Sequence, residues 1–137
     1  MAFQILSHTA DVRILATGKT LEELFASALL GMGEILKSGA CEKNKQLKLS
    51  KEISISSVDP TTLLVDFLSK VLTLSHINLT IFCKINFVKL KENSLKARLF
   101  GQKIDSFDND IKAVSYSEAE ITKDKDGNFQ TVIIFDI

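Results

Sequence analysis

Apolar residues at Leu21, Leu24, Phe25, Ala28, Leu29, Met32, Ile35 and Leu36 recur at the three-and-four spacing of one helical face. Thr20 and Glu23 stand at capping-box spacing before this run, and Gly39 stands where a helix C-cap is expected after it. A second helix is predicted in DPTTLLVDFLSKVLTLS, with Asp59 as N-cap, Pro60 at the first helical position and an apolar stripe of Leu63, Leu64, Phe67, Leu68, Val71 and Leu72. Elsewhere the pattern is that of strands. Apolar stretches at Phe3–Leu6 and Val12–Leu15 flank a polar link, and Leu47, Leu49, Ile53 and Ile55 alternate with polar neighbours as in a half-exposed strand. Residues 80–90 and 95–104 form a predicted hairpin across Lys91-Glu92-Asn93-Ser94, and residues 112–122 form another with Phe129–Asp136 across residues 123–128. In the last strand Val132 and Ile134 lie on one face and Ile133 and Phe135 on the other, the signature of burial on both sides. The order is strand, strand, helix, strand, helix and then about four strands. It predicts an α+β fold: one layered domain over residues 1–137, a mostly antiparallel sheet and two amphipathic helices laid on it.

Composition agrees with a globular chain: 45% of residues are hydrophobic and 25% charged, with six Gly and one Pro. With 137 residues, roughly two thirds of the unfolded chain's surface can be buried, enough for one core. No apolar run reaches the roughly 18 residues of a membrane span, and no charged N-terminal region leads into a long apolar stretch, so the expectation is a cytoplasmic protein without a membrane partner. Cys41 and Cys83, far apart and without CxxC spacing, are expected to be reduced thiols, with Cys83 a small core residue. Net charge is zero but unevenly spread. Residues 80–104 carry Lys84, Lys89, Lys91, Lys96, Arg98 and Lys103 against one acid, Glu92, whereas the last 33 residues carry eight acids against three lysines. Such segregation fits solvated strand faces or a basic ribbon turned toward a partner. Overall neutrality argues against strong direct nucleic-acid binding, which rests on phosphate neutralisation.

Three short motifs carry no chemistry. Gly18-Lys19-Thr20 sits where a strand gives way to a helix, but Arg13 occupies the position of the first glycine of a phosphate-binding loop. Asn78-Leu79-Thr80 is a glycosylation sequon without a secretory context. Asp105, Asp108 and Asp110 mimic a calcium loop but lack its glycine and distal glutamate. The chain end is different. In VIIFDI, Asp136 stands at the tip of a strand buried on both faces, with the α-carboxylate of Ile137 beside it. Two carboxylates about 4 Å apart repel by roughly 4 kcal/mol at an effective dielectric of 20, so a hard divalent cation is a natural companion. Asp11 in the link His8-Thr9-Ala10-Asp11 could complete such a cage, although by itself it also fits a turn or cap residue. His8 reads more readily as a packed, hydrogen-bonded histidine than as a base.

The segments SHTADVRILATGKTLEELFASALLGM, LLVDFLSKVL, IKAVSY and VIIFDI, in this order and spacing, resemble the archease family over essentially the whole chain. The resemblance implies a non-catalytic protein that activates an RtcB-type RNA ligase in tRNA splicing or RNA repair, promoting its guanylylation and turnover. A second association it implies is modulation of a tRNA cytosine methyltransferase. It further implies a divalent metal, assigned as calcium, held by Asp11, Asp136 and the terminal carboxylate of Ile137, with Mg²⁺ or Mn²⁺ as alternatives and GTP consumed by the partner ligase. No residue is expected to be catalytic. His8 and Lys112, the latter matching the lysine of a family KAVTY phrase, are expected to face the partner. Ser117 stands where family members usually carry a histidine, the acidic loop 105–110 is shorter than usual, and Lys70 displaces an acid that often follows LLVDFL; each could alter engagement of the ligase. Two other classes compete: a metal-dependent hydrolase using Asp11 and Asp136 around a water, for which no nucleophile is evident, and a chaperone for the methyltransferase.

Overall fold

The computed structural model describes residues 2–8 (backbone alone at 7 and 8), 11–42, 47–116 and 118–137. In chain order these form β1 (Ala2–His8), β2 (Asp11–Gly18), α1 (Leu21–Leu36), β3 (Leu49–Ser56), α2 (Pro60–Asn78), β4 (Thr80–Leu90), β5 (Ser94–Lys103), β6 (Ala113–Ser115), β7 (Thr122–Lys123) and β8 (Phe129–Asp136). Every strand pairing is antiparallel. The strands divide into two sheets where one was expected: β1-β2-β8-β6, with β7 also paired to β8, and β3-β5-β4. The helices join them, because α1 packs on β1, β2 and β8 of the first sheet and on β4 of the second, while α2 packs on β6 and on all three strands of the second.

The helix starts follow their sequence signals. Thr20 Oγ1 accepts from the Glu23 N–H at 3.1 Å, and the Glu23 carboxylate reaches back to the Lys19 N–H at 2.7 Å. Asp59 Oδ1 accepts from the Thr62 N–H at 2.7 Å, a hydrogen bond that holds the Asp59 carboxyl below its ordinary pKa. The helix ends differ from expectation. The cap of α1 is Lys37 in an extended conformation, its N–H donating to the Gly33 carbonyl at 2.9 Å. Gly39 follows in the next turn at φ +77°, its N–H held by the Glu34 carboxylate at 3.0 Å. α2 runs on to Asn78 and is closed by Leu79 at φ 48°, a left-handed residue that carries no glycine signal.

Both helical stripes close on one core in which Phe25, Phe67, Leu24, Leu29, Leu63, Leu64 and Leu68 are fully buried. The Phe25 ring lies 5.5 Å from that of Phe67 and 6.4 Å, edge on, from that of Phe87, so one aromatic cluster joins α1, α2 and β4. Gly18 has a steric role: a Cβ there would lie 2.4 Å from the Leu24 nitrogen and 2.7 Å from the Glu23 carbonyl carbon, so β2 runs into α1 at backbone contact. Its place in a phosphate-loop lookalike is thereby explained by packing.

Two further expectations are corrected. Residues 112–122 do not form one strand. β6 and β7 both pair with β8, but between them Glu118 adopts φ 63°, Ala119 is fully buried, and the Ile121 N–H donates to Thr61 Oγ1 at 3.2 Å. The chain leaves the sheet here to seal the start of α2. Nor are the cysteines reduced thiols: Cys41 and Cys83 form a disulfide with Cα atoms 5.3 Å apart, across 42 residues of sequence. Pairing of β4 with β5 shifts register between Phe82 and Lys84, so Cys83 is the extra residue of a β-bulge and meets the turn that follows α1. A closed loop of this length restrains the unfolded chain by about 4 kcal/mol in the entropic account.

Candidate functional site

β2 begins with Asp11 and β8 ends with Asp136, and the antiparallel register sets the two directly opposite each other. The alternation of the strands explains why their side chains share a surface. Val12, Phe135 and Val114 form one rung and are buried, facing the core. One step along, Asp11, Asp136 and Ala113 form the next rung on the opposite, outer face, with Asp11 half-buried and the other two exposed. Directly opposed residues of an antiparallel pair have Cα atoms about 4.5–5.5 Å apart, which brings two carboxylates within mutual repulsion. Among the described residues neither carboxylate has a hydrogen bond or an ion pair.

The surroundings fix the backbone and, among the described residues, leave the charges uncompensated. The Lys112 N–H donates to the Asp136 carbonyl at 2.7 Å, pinning the end of β8 from its second side, while the Lys112 side chain is exposed. Ile137 is half-buried against the core, so the main chain is held one residue beyond Asp136. The nearest cation along the same face of β2 is Arg13, and it is engaged by Glu118 at 3.0 Å. His8 closes β1 opposite Val12, and its side chain, like Thr9, Ala10 and Ser117, lies outside the described residues. No cluster of three His, Cys, Asp or Glu side chains is gathered among the described residues. The two facing aspartates therefore supply two of the about six to eight oxygen donors that a hard cation such as Ca²⁺ takes.

The other acidic run is committed elsewhere. Asp108 accepts from the Ser38 N–H at 2.9 Å and pairs with Lys37 at 3.3 Å, and these contacts hold its carboxyl below the usual range. Asp110 lies 3.8 Å from His76, and Asn109 donates to the Ile35 carbonyl at 2.9 Å. Residues 105–110 thus form an acidic loop that caps the end of α1.

One polar constellation had no signal in the sequence. Asp66 of α2 accepts from Ser57 Oγ at 2.6 Å and from the Tyr116 hydroxyl, tying the segment after β6 to the helix. The carboxylate beside the Tyr116 phenol raises its pKa above the ordinary value. The linked stabilisation is complete below the unfolded-state value near 10 and is lost as pH rises through the higher folded value. Tyr116 is 58% exposed, so Tyr116→Phe is expected to cost only about 0.5 kcal/mol at neutral pH and to remove this alkaline component. Urea titrations of both proteins at neutral and strongly alkaline pH check it; an unchanged difference between them would refute the linkage.

Residues 3–137 match the Archease protein family (MTH1598/TM1083). Among curated relatives, "Protein archease" of Methanosarcina barkeri is 34% identical over 143 residues, covering 98% of this chain and 95% of its own. "Protein archease" of Thermoplasma volcanium is 32% identical over 140 residues and both chains are fully covered. Among solved structures, the solution structure of Methanobacterium thermoautotrophicum protein 1598 superposes with a TM-score of 0.79 at 26% identity, covering 99% of each chain. A Thermotoga maritima crystal structure titled as an archease and possible chaperone shares the fold, with a TM-score of 0.66 at 23% identity and coverage of 98% and 96%.

Proposed function

This chain belongs to the archease family, and on that footing we propose that it is a non-catalytic accessory protein of an RtcB-type RNA ligase, promoting the ligase's GTP-dependent guanylylation. The observation that carries the reading is the opposition of Asp11 and Asp136 on the outer face, two carboxylates without a cationic partner among the described residues. Hard oxygen donors of this kind suit Ca²⁺, Mg²⁺ or Mn²⁺, and the Ile137 α-carboxylate would add the third anionic ligand. An ion held by Asp11, Asp136 and the Ile137 α-carboxylate would supply positive charge suited to phosphate groups. The chain's own part is positional. β2 and β8 hold the aspartates at the last rung of a rigid sheet, and the Lys112 backbone fixes the strand that carries Asp136. The exposed Lys112 side chain, beside this rung, faces the partner in the same reading.

GTP is the ligase's substrate in this scheme. The Gly18-Lys19-Thr20 turn is closed by its own Thr20 hydroxyl and Glu23 carboxylate, so a phosphate at this helix start would meet an anion already seated there. Mixing the protein with its ligase, GTP and divalent metal is expected to raise the guanylylated fraction several-fold, read by radiolabel on the ligase. An unchanged fraction rejects the activator role. Hydrolysis of a generic phosphomonoester by the protein alone would instead favour a metal-dependent hydrolase.

A further inference from the structure

The outer face of the three-stranded sheet is built from three rungs, Ser50–Phe100–Lys84, Glu52–Arg98–Asn86 and Ser54–Lys96–Lys89. Its reverse face carries Ile53, Leu95, Ala97 and Leu99 into the core. The outer face therefore holds four cations against one anion. Glu52 is already shared by Lys96 at 3.6 Å and Arg98 at 3.4 Å, and Arg98 also donates to Ser50 Oγ at 3.3 Å. Lys84 and Lys89, both on β4, have no carboxylate within ion-pair distance among the described residues.

Two features are costly for a surface that only meets water. Lys89 stands directly opposite Lys96, and like charges at that position destabilise a strand pair by up to about 1 kcal/mol. The rung exists because the β4 register shifts between Phe87 and Lys89, leaving Val88 as a bulge residue that is itself exposed. The second feature is Phe100, an aromatic ring in the central strand of an otherwise polar face, with the Lys84 ammonium 5.6 Å from its centroid. A row of cations along an open sheet face that also carries a half-buried aromatic ring in its central strand matches the chemistry of unpaired nucleotides: phosphates for the lysines and arginine, a base face for the ring.

We infer that this face is a contact surface for single-stranded nucleic acid, with the phosphate backbone following Lys84, Lys89, Lys96 and Arg98 and one base stacked at Phe100. Lys84 and Lys89 stand opposite Phe100 and Lys96, four residues apart on the central strand, which is about 14 Å and accommodates a segment of a few nucleotides. A duplex keeps its bases stacked and offers nothing to the ring. An acidic peptide satisfies the cations but leaves Phe100 unused. The affinity is low, on the order of 10⁻⁴ M, because only about three phosphates are neutralised. This is consistent with a neutral chain that does not bind nucleic acid strongly overall. The contact is a property of the free protein and does not rest on the ligase reading.

The test is a nuclear magnetic resonance titration of the full, isotope-labelled chain with an oligouridylate of about eight nucleotides. Backbone shifts are expected at residues 84–89 and 96–100. Raising salt from about 25 to about 200 mM should weaken binding about 60-fold, from a slope near −2 for about three single-strand phosphates. The double variant Lys84→Gln/Lys89→Gln, at exposed positions, should lose at least tenfold in affinity while keeping its amide spectrum. Phe100→Leu should lose base-dependent shifts while retaining those caused by phosphate. Oligothymidylate giving the same pattern supports the class. Absence of shifts at millimolar oligonucleotide, shifts centred on another surface, or equal shifts with an oligoglutamate peptide at the same concentration would each overturn the inference.

Discussion

Asp136→Asn is expected to weaken calcium binding by about 100-fold or more and to abolish stimulation of the ligase, while leaving the fold intact. Asp136 is exposed, and its side chain makes no hydrogen bond or ion pair with the described residues, so its charge contributes little to folding. Its neighbour across the ladder is another carboxylate, Asp11, and neutralising one member of the pair removes a repulsion. The metal-free variant should therefore be as stable as the parent, or more stable by up to about 1 kcal/mol. The difference emerges on adding metal. A ligand at about 100 times its dissociation constant stabilises the parent by about 2.7 kcal/mol, and the variant should lose nearly all of this. Calorimetric titration with Ca²⁺ and paired thermal melts check both halves. Equal affinity and an equal metal-induced shift in the two proteins would show that Asp136 is not a ligand. One residue added after Ile137 probes the third donor, because it turns the α-carboxylate into a neutral amide and carries the negative charge about 3.5 Å further along the chain.

Phe67→Ala should remove about 3–5 kcal/mol of stability, a large share of what a domain of this size possesses. The side chain is fully buried on the inner stripe of α2, 5.5 Å from Phe25, which in turn meets Phe87 of β4. Truncation leaves a void where both helices and the second sheet meet, and close-packed neighbours relax into such a space only in part. Urea unfolding followed by circular dichroism measures the loss. A cost below about 1.5 kcal/mol, the range of well-tolerated swaps, would mean that the aromatic cluster is not what joins the layers. Metal affinity of the folded fraction should be unchanged, since Asp11 and Asp136 are held by the other sheet.

How far the structure was legible in the sequence depended on whether a feature is local. The helix starts were, because Thr20, Glu23, Asp59 and Pro60 act within one turn of themselves. The end of α2 was not, since Leu79 adopts a left-handed conformation that no glycine announces. Alternation identified the half-buried strands but is silent on sheet membership. Val12–Leu15 and Leu49–Ile55 both read as strands and belong to different sheets. The break between β6 and β7 depends on Ala119 and Thr61, partners in distant elements. The Cys41–Cys83 bond depends on a one-residue register shift that alternation cannot place. At the candidate site, a carboxylate ending an apolar strand was readable at Asp136. Its opposition to Asp11 follows only from the register of β2 against β8. The Tyr116–Asp66–Ser57 contacts, formed across 50 and 9 residues, had no local trace.

The position of β8 bears on how the molecule is made. It is last in the sequence order yet central in its sheet, hydrogen-bonded to β2 on one side and to β6 and β7 on the other. A chain emerging from the ribosome can close the β3–β5–β4 layer early, but the hairpin of β1 and β2 must wait with an open edge until more than a hundred residues have followed. During that interval an apolar strand border is exposed to neighbouring nascent chains, and the aspartates stay apart until β8 itself has been made.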